Sequence, residues 1–322
     1  MIKELELWQF ILERLRRNEP VMLLVVAKSS GSSPGRAGYK MAVAADGQLC
    51  GSIGGGIMEI ALVEEAKAEI SPAANGVVSK LIEQVHQKNS PSASGMICSG
   101  RQTVILHLIK PDPVLIAEIE AFIEDDNAMT LTLTPNRLAI RPDAAETGAS
   151  TAFDQLSETE FQYSERLGYT NELYIIGGGH CSLALSDLMS KLDFRITVLD
   201  DRPDLNTVSK NHFAHHIDII GGYEAVVEQI GDGPNTYVVV MTVGYQSDAA
   251  VIRSLIDKPL RYVGVLGSKA KMATLLRDLE REGFSREQLS RLHTPIGVPI
   301  NSRTPEEIAV SIAAEIIAIK NA

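Results

Sequence analysis

The feature that most constrains the fold is a regular alternation of apolar runs and helical patterns in the second half of the sequence. Apolar runs occupy 173–176, 195–200, 217–220, 237–241 and 262–266, and helical segments separate them. Parallel strands need a long crossover, usually a helix, and they are continuously apolar because helices cover both faces of the sheet. The pattern therefore predicts an α/β fold with a doubly wound parallel sheet.

The first strand of this half leads into a glycine turn that opens a helix. Ile175-Ile176 is followed by Gly177-Gly178-Gly179-His180, in which Gly177 allows a tight turn and Gly179 lets the backbone approach a phosphate. Asp200 ends the next strand, where the Rossmann fold places a carboxylate on a ribose hydroxyl. These residues, with His180 at the helix start, predict a Rossmann-like unit that binds a nucleotide or NAD(P). The alternative is a turn that only builds the fold.

A second strand-to-helix turn carries positive charge. Gly267-Ser268-Lys269 follows the 262–266 run, and Lys271 comes shortly after it. The chain has 30 Lys and Arg against 41 Asp and Glu, a formal net charge of −11, which argues against a general polyanion binder with a basic surface. We therefore expect Gly267, Ser268, Lys269 and Lys271 to hold one small anion locally. An ordinary helix start with solvated lysines is the alternative.

The first half predicts an α+β arrangement with a glycine-rich turn. A helix over 4–17 precedes a buried strand over 21–28. Gly54-Gly55-Gly56 then opens another helix that carries Glu59, and Cys98 lies in a segment between two glycines. Such glycine density lets backbone amides crowd an oxyanion-rich ligand, and a thiol on an open loop can carry sulfur or coordinate a metal. A plain structural turn is the competing interpretation of each.

Length and composition predict the domain organisation. A chain of 322 residues corresponds to about two domains. We expect an N-terminal domain over 1–110, a connecting segment over 111–165 with a linker at 143–150, and a Rossmann-like domain over 166–322. The three cysteines form no Cys-x-x-Cys pair, which argues against a structural zinc site and a disulfide framework. The apolar runs are too short for a membrane helix, and a cytoplasmic location is expected.

Several motifs occur in an order that resembles one family. The N-terminal motifs are Gly31-Ser32-Ser33-Pro34-Gly35, Gly51-Ser52-Ile53-Gly54-Gly55-Gly56 with Glu59, and Gly95-Met96-Ile97-Cys98-Ser99-Gly100. The C-terminal motifs are Gly177-Gly178-Gly179-His180, Asp200-Asp201-Arg202-Pro203, Gly264-Val265-Leu266-Gly267-Ser268-Lys269, Pro295-Ile296-Gly297 and Thr304-Pro305-Glu306-Glu307-Ile308-Ala309. Together they resemble the XdhC/CoxI family, the xanthine dehydrogenase accessory factors. The resemblance implies a smaller α+β N-terminal domain and a Rossmann-like C-terminal domain.

The resemblance implies a cofactor chaperone more than a catalyst. Such a protein binds molybdenum cofactor (molybdopterin), protects it during maturation and sulfuration, and delivers it to a xanthine dehydrogenase-type molybdoenzyme. Cys98 falls on the family's loop cysteine, with Ser99 in place of a glycine, so Cys98 would contact molybdenum or its exchangeable sulfur. The glycine turns and Glu59 would contribute the rest of the site. A homodimer and a cysteine desulfurase partner are further expectations, with no nucleic acid and no membrane as partners.

Two other functions stay open on the residues alone. A NAD(P)-dependent oxidoreductase would use the C-terminal unit, with His180 or Tyr245 as proton donor, but the sequence shows no clear acid/base set for a substrate. A nucleotide-sensing regulator would bind a partner protein through its N-terminal domain. Turnover of a carbonyl substrate with NAD(H) would favour the first, and nucleotide-dependent partner binding without a pterin would favour the second.

Overall fold

A computed structural model of the chain describes residues 3–70, 78–86, 100–124, 129–142, 151–157, 159–192 and 194–322. The chain divides into two compact units, Met1–Gly168 and Tyr169–Ala322. The expected linker at 143–150 lies outside the described residues, and the expected division at 110 and 165 stays a prediction. None of the helices within the described residues is long and apolar enough to cross a membrane.

The first unit combines helices with two antiparallel sheets. Its described elements are α1 (Lys3–Arg16), β1 (Val21–Gly31), β2 (Lys40–Ala44), β3 (Leu49–Gly51), α2 (Gly56–Ile70), β4 (Ser79–His86), β5 (Gly100–Ile109), α3 (Pro113–Glu124), β6 (Met129–Thr134), β7 (Arg137–Pro142), β8 (Thr151–Gln155) and β9 (Phe161–Leu167). One sheet has five strands in the order β3-β2-β1-β5-β4, and the other has four in the order β7-β6-β9-β8. Every pairing in both is antiparallel.

The central strand β1 is buried on both sides, which explains its unbroken apolar run. Leu23 and Val25 pack in one core with α1, α3 and the four-stranded sheet, whereas Met22 and Leu24 pack in a second core against α2. Because successive strand residues point to opposite faces, a strand covered on both faces is apolar at every position. The segment expected as a connector supplies α3 and the second sheet, and it shares its core with α1 and β1.

The second unit alternates strands and helices as the apolar pattern predicts. Its elements are β10 (Asn171–Ile176), α4 (His180–Met189), β11 (Phe194–Asp200), α5 (Asn206–Ser209), β12 (His216–Ile219), β13 (Gly233–Val240), α6 (Tyr245–Leu255), β14 (Leu260–Val265), α7 (Lys269–Arg281), α8 (Arg286–Ser290), β15 (Leu292–His293) and α9 (Pro305–Lys320). The helical segment expected between the apolar runs at 217–220 and 237–241 is a short 3₁₀ helix, Tyr223–Gln229.

The sheet of the second unit has Rossmann topology. Its strands are all parallel and follow the order β12-β11-β10-β13-β14-β15, which is the 3-2-1-4-5-6 order of that fold. One core packs α4 and α9 on the sheet, and another packs α6 and α7. The predicted fold class, a Rossmann-like doubly wound sheet together with an α+β N-terminal region, is confirmed. The strand order reverses between β10 and β13, so the loops after these strands meet at the carboxyl edge.

Candidate functional site

The glycine turn before α2 is held by the carboxylate of Glu59. Its Oε2 accepts hydrogen bonds from Ser52 Oγ at 2.8 Å and from the backbone N–H groups of Ile53 and Gly55, both at 2.9 Å. The three glycines at 54–56 have φ of +123°, +77° and +77°, a region that residues with a Cβ rarely adopt. The predicted glycines and Glu59 therefore form one folded turn.

The backbone of this turn is open on one side. An added Cβ at Gly55 or Gly56 would meet no atom of the described residues within 4 Å. The first N–H groups of a helix have no partner within the helix, and the helix dipole makes them favourable for negative charge. Since Glu59 takes the N–H of Gly55, the next amides along α2 are the ones suited to an oxyanion.

A buried chain of amides joins this turn to the loop at 31–38. Gln102 Oε1 accepts from Ser33 Oγ at 2.8 Å and from Gly35 N at 3.2 Å, and Gln102 Nε2 donates to Gln84 Oε1 at 2.7 Å. Gln84 Nε2 donates to the carbonyl oxygen of Met58 at 3.0 Å. The two glutamines are only 3% and 7% exposed, so they fix the loop against the start of α2. Neither glutamine was predicted from the sequence as part of a site. The one signal was the polar side chain of Gln102 at the start of an apolar strand.

Close backbone contacts hold the same loop from two sides. A Cβ on Gly54 would lie 2.5 Å from Gly35 N, and a Cβ on Gly100 would lie 2.5 Å from Ser33 N. Atoms cannot approach so closely, so both positions require glycine. Gly31–Gly35, Gly51–Gly56 and Gly100, which are separate in sequence, are therefore parts of one packed structure.

In the second unit, the turn after β10 contacts the loop after β13. Gly177 has φ of +110°, and a Cβ there would lie 2.4 Å from the carbonyl oxygen of Met241. Gly179 caps α4 without a side-chain hydrogen bond, and an added Cβ would meet no described atom within 4 Å. His180, the first residue of α4, is exposed and borders a cleft of about 440 Å³ along that helix. The N-terminus of α4 is thus accessible.

Asp200 is fully buried, and both of its oxygens already accept hydrogen bonds. Oδ1 accepts from the N and Nε of Arg202 at 2.8 and 2.9 Å, and Oδ2 accepts from Arg202 Nη2 at 2.7 Å and Gly178 N at 2.6 Å. Burial alone would raise the pKa of Asp200, but the hydrogen bonds from Arg202 and Gly178 outweigh it and lower the pKa. A ribose hydroxyl would have to displace one of these donors.

The lysine-bearing turn after β14 is partly neutralised. Lys271 Nζ lies 2.6 Å from Oδ2 of Asp248, whose buried side chain also accepts from Thr242 Oγ1 at 2.6 Å. Ser268 caps α7 by accepting from the N–H of Lys271 at 3.3 Å. Lys269, at the first position of α7, is exposed and has no carboxylate partner among the described residues. Of the two predicted lysines, Lys269 is the one whose charge is available.

The structure gathers the predicted residues into three clusters. These are Gly54, Gly55, Gly56 and Glu59 at the start of α2; Gly177, Gly179, His180 and Asp200 after β10 and β11; and Gly267, Ser268, Lys269 and Lys271 after β14. Cys98 lies outside the described residues, so its role stays a prediction. Burial raises the thiol pKa of both Cys50 and Cys181, which disfavours thiolate at either. Within the described ranges, no group of three or more His, Cys, Asp or Glu could hold a metal ion.

Comparison with known families decides where the chain belongs. The family model described as the XdhC Rossmann domain matches residues 173–316, and the one described as the XdhC and CoxI family matches residues 14–79. Together they cover about two thirds of the chain, one in each unit. The chain belongs to the XdhC and CoxI family. The family resemblance of the sequence motifs is thereby confirmed.

Three relatives of this XdhC/CoxI protein align along almost its whole length. YqeB of Escherichia coli (strain K12), an uncharacterized protein, is 26% identical over 310 residues, and the match covers 95% of this chain but only 44% of YqeB. A protein of Bacillus subtilis (strain 168) described as a probable xanthine dehydrogenase subunit is 26% identical, with 94% of each chain covered. The molybdenum cofactor insertion chaperone PaoD of E. coli (strain K12) is 22% identical over 97% of this chain and 87% of PaoD.

A solved structure supports the fold of this XdhC/CoxI protein. The crystal structure of a protein described as a xanthine dehydrogenase from Bacillus halodurans superposes with a TM-score of 0.71, covering 100% of this chain and 96% of the other. The two sequences are 23% identical, so this likeness supports the fold alone.

Proposed function

We propose that this protein binds molybdenum cofactor and helps its maturation and insertion into a xanthine dehydrogenase-type molybdenum hydroxylase. Family membership and near full-length similarity to a protein named as a molybdenum cofactor insertion chaperone support this accessory role. The structural observation that carries the proposal is the packed pair of glycine loops in the first unit. They leave open space beside the backbone at Gly55 and Gly56, next to the N–H groups at the start of α2, in the unit that also contains Cys98.

The residues of these loops fit an anionic cofactor. Glu59 shapes the turn through three hydrogen bonds, and the amides at the start of α2 are placed to contact an oxyanion. The absence of side chains at Gly55 and Gly56 allows a ligand close to the backbone. When bound, the cofactor would supply a molybdenum ion on the dithiolene of a phosphorylated pterin. Cys98 would supply a thiolate, the form in which cysteine binds metals.

The test is the molybdenum and pterin content of the purified full-length chain. Made in a host that synthesises the cofactor, the wild-type protein should carry both, measured by plasma mass spectrometry and by fluorescence of the oxidised pterin. Glu59→Ala removes the hydrogen bonds that shape the turn and should lower the content several-fold. Glu64→Ala changes an exposed position of the same helix and should leave it unchanged. Background levels in the wild-type protein would contradict the proposal.

The role of Cys98 needs its own variant. Cys98→Ser should retain less cofactor and should activate the partner molybdoenzyme less than the wild type does. Cys181→Ser is a matched control, because Cys181 is half-buried in the other unit and its thiol pKa is raised. Equal cofactor binding and equal activation by wild type and Cys98→Ser would exclude this role for the thiol.

Nucleotide binding at the β10 turn is a separate candidate. The open α4 N-terminus at Gly179 favours an anion there, but the hydrogen bonds that Asp200 already accepts oppose the ribose contact typical of NAD(P) sites. Calorimetric titration with NAD⁺, NADP⁺ and AMP tests this point. Saturable binding together with carbonyl reduction would favour the oxidoreductase alternative. The regulator alternative, the cytoplasmic location, the homodimer and the desulfurase partner stay predictions.

A further inference from the structure

A polar cleft of about 520 Å³ opens in the first unit beside the glycine loops. Strands β1, β4 and β5 of the five-stranded sheet line it on one side, and β8 of the other sheet lines it on the opposite side. Gln102, whose side chain holds the loop at 31–38, also belongs to the lining. The volume lies within the roughly 300–1,000 Å³ usual for small-molecule sites. The side chain of Gln102 points to the α2 face of the five-stranded sheet, and the cleft lies on the other face. Ser30 and Arg101 of the lining directly adjoin Gly31 and Gly100, so the cleft meets the glycine loops at the ends of β1 and β5.

The strand register arranges charged side chains across this cleft. Lys28 on β1 lies directly opposite Thr103 on β5, and Thr103 lies directly opposite Glu83 on β4. Residues directly opposite each other in a sheet point to the same face, so these three side chains form one row. Arg101 lies on the same face, because it is two residues from Thr103 along β5. With strands about 4.8 Å apart, the ends of the row lie roughly 10 Å from each other.

The two cations of the cleft lack ion-pair partners among the described residues, in contrast to Lys40. Lys40 lies 3.0 Å from Glu4 and 2.6 Å from Glu165. Lys28 and Arg101 make no ion pair with any residue that the structure describes, and both are exposed. In a chain with a net charge of −11, two unpaired cations facing one cleft are a local site for an anion.

The opposite side of the cleft has different chemistry. On β8, Asp154 contributes a carboxylate and Phe153 contributes a half-buried aromatic ring. Glu83 contributes a second carboxylate from β4, at the end of the row away from Lys28. Two adjacent N–H donors on a flat heterocycle can pair with one carboxylate, whose two oxygens both accept. An aromatic face stacks on such a ring. The lining therefore combines acceptors for a donor edge, a surface for a ring, and cations for a phosphate.

We propose that this cleft binds a phosphorylated 2-amino-4-oxopyrimidine heterocycle, a pterin phosphate. Arg101 and Lys28 hold the phosphate, for which the planar guanidinium is well suited. Glu83 or Asp154 accepts from the ring N–H and the amino group, and Phe153 contacts the ring face. The proposal rests on the proposed function, because molybdenum cofactor is itself a pterin phosphate.

A guanine nucleotide carries the same adjacent pair of N–H donors on its ring and also carries a phosphate. The experiment must therefore distinguish a pterin phosphate from a guanine nucleotide as the ligand. The probes are neopterin monophosphate and GMP, with neopterin to remove the phosphate and AMP to remove the donor edge. Binding to the full-length chain is measured by pterin fluorescence for the pterins and by calorimetry for the nucleotides. We expect neopterin monophosphate to bind at least tenfold more tightly than neopterin, GMP or AMP.

Variants locate the binding. Arg101→Gln and Lys28→Gln should each weaken binding of neopterin monophosphate about tenfold while leaving that of neopterin nearly unchanged, since only the phosphate contact is lost. Asp154→Asn and Glu83→Gln test the contact between a carboxylate and the N–H donors of the ring. One of these variants should weaken the binding of neopterin and of neopterin monophosphate by the same factor. The controls are Arg17→Gln and Glu13→Gln, exposed positions of the same unit outside the cleft. Trp8 fluorescence checks that every variant is folded.

The outcomes are distinct from those for the proposed function. If neopterin monophosphate does not bind, or if the Arg101 and Lys28 variants bind it as the wild type does, the cleft proposal is wrong. Tighter binding of GMP would also overturn it, because the cleft would then be a nucleotide site. If molybdenum copurifies with the wild type and Arg101→Gln carries the same amount, the proposed function stands. The cleft is then not the site that binds the cofactor. If neopterin monophosphate binds in the cleft but the wild-type protein carries no molybdenum, the cleft proposal stands and the proposed function is wrong.

Discussion

Protonation of His107 should destabilise the first unit as the pH falls below neutrality. The imidazole lies on β5 and is 3% exposed, with its Nδ1 2.5 Å from Ser79 Oγ on β4. Burial lowers the pKa of His107 from 6.5 to about 4, because a charged imidazolium is costly away from water. Between these two values the unfolded chain binds more protons than the folded one.

The sign and size of the effect follow from that difference. A histidine whose folded pKa is below its unfolded pKa contributes its full stability above about pH 6.5 and loses it as the pH falls towards 4. One pKa unit corresponds to about 1.4 kcal/mol. The free energy of unfolding should therefore fall by about 2 kcal/mol at pH 5 and by about 3 kcal/mol at pH 4.

Urea unfolding followed by tryptophan fluorescence measures this effect in the correct unit. Trp8 is the only tryptophan of the chain and is buried in the core of the first unit. His107→Gln is neutral throughout, so its difference from the wild type isolates this imidazole from other titrating groups. Between about pH 7.5 and about pH 5, the variant should lose about 2 kcal/mol less than the wild type. The same pH dependence in both proteins would refute the reasoning.

Three further predictions test the candidate sites. Gly54→Ala should destabilise the first unit by about 3 kcal/mol or more because of its collision with backbone, whereas Gly55→Ala should cost only the strain of a left-handed residue, about 1–2 kcal/mol. Equal urea midpoints would contradict this ranking. Glu59→Gln should cost about 1–2 kcal/mol, since a neutral amide replaces a carboxylate with three donors, and tryptophan-detected unfolding would show it. Lys271→Met should destabilise the second unit by about 3 kcal/mol because Asp248 stays buried without its cation. Adding Asp248→Asn should restore most of that loss in far-ultraviolet circular dichroism melts.

The C-terminal fold could be predicted from the sequence because parallel strands covered on both faces leave unbroken apolar runs. Those runs lie at the positions of β10 to β14. The glycine turn predicted at Gly177 lies between β10 and α4. The pattern predicts a helix after the 217–220 run, and the structure has a 3₁₀ helix there. Local periodicity does not distinguish a short 3₁₀ segment from the first turns of an α-helix.

The candidate site was only partly predictable. Its glycines stand out in the sequence because they need unusual backbone angles or close backbone contact, as Gly54 and Gly177 both do. The buried pair Gln84 and Gln102 was missed, because each partner lies far from the other in sequence. A hydrogen bond between them depends on the register of β4 and β5.

The family and the glycine turns follow from the amino-acid sequence alone, because short contiguous motifs specify them. The Rossmann sheet also follows from the sequence, because strands covered on both faces leave unbroken apolar runs. The charges that are available to a ligand follow only from the folded arrangement. Asp200 and Lys271 were both expected to face a ligand, yet Arg202 and Asp248 pair with them. Lys28 drew no attention in the sequence, yet it faces a cleft without a partner among the described residues. The physical reason is that ion pairing depends on distance in space, which the pairing of strands and helices sets.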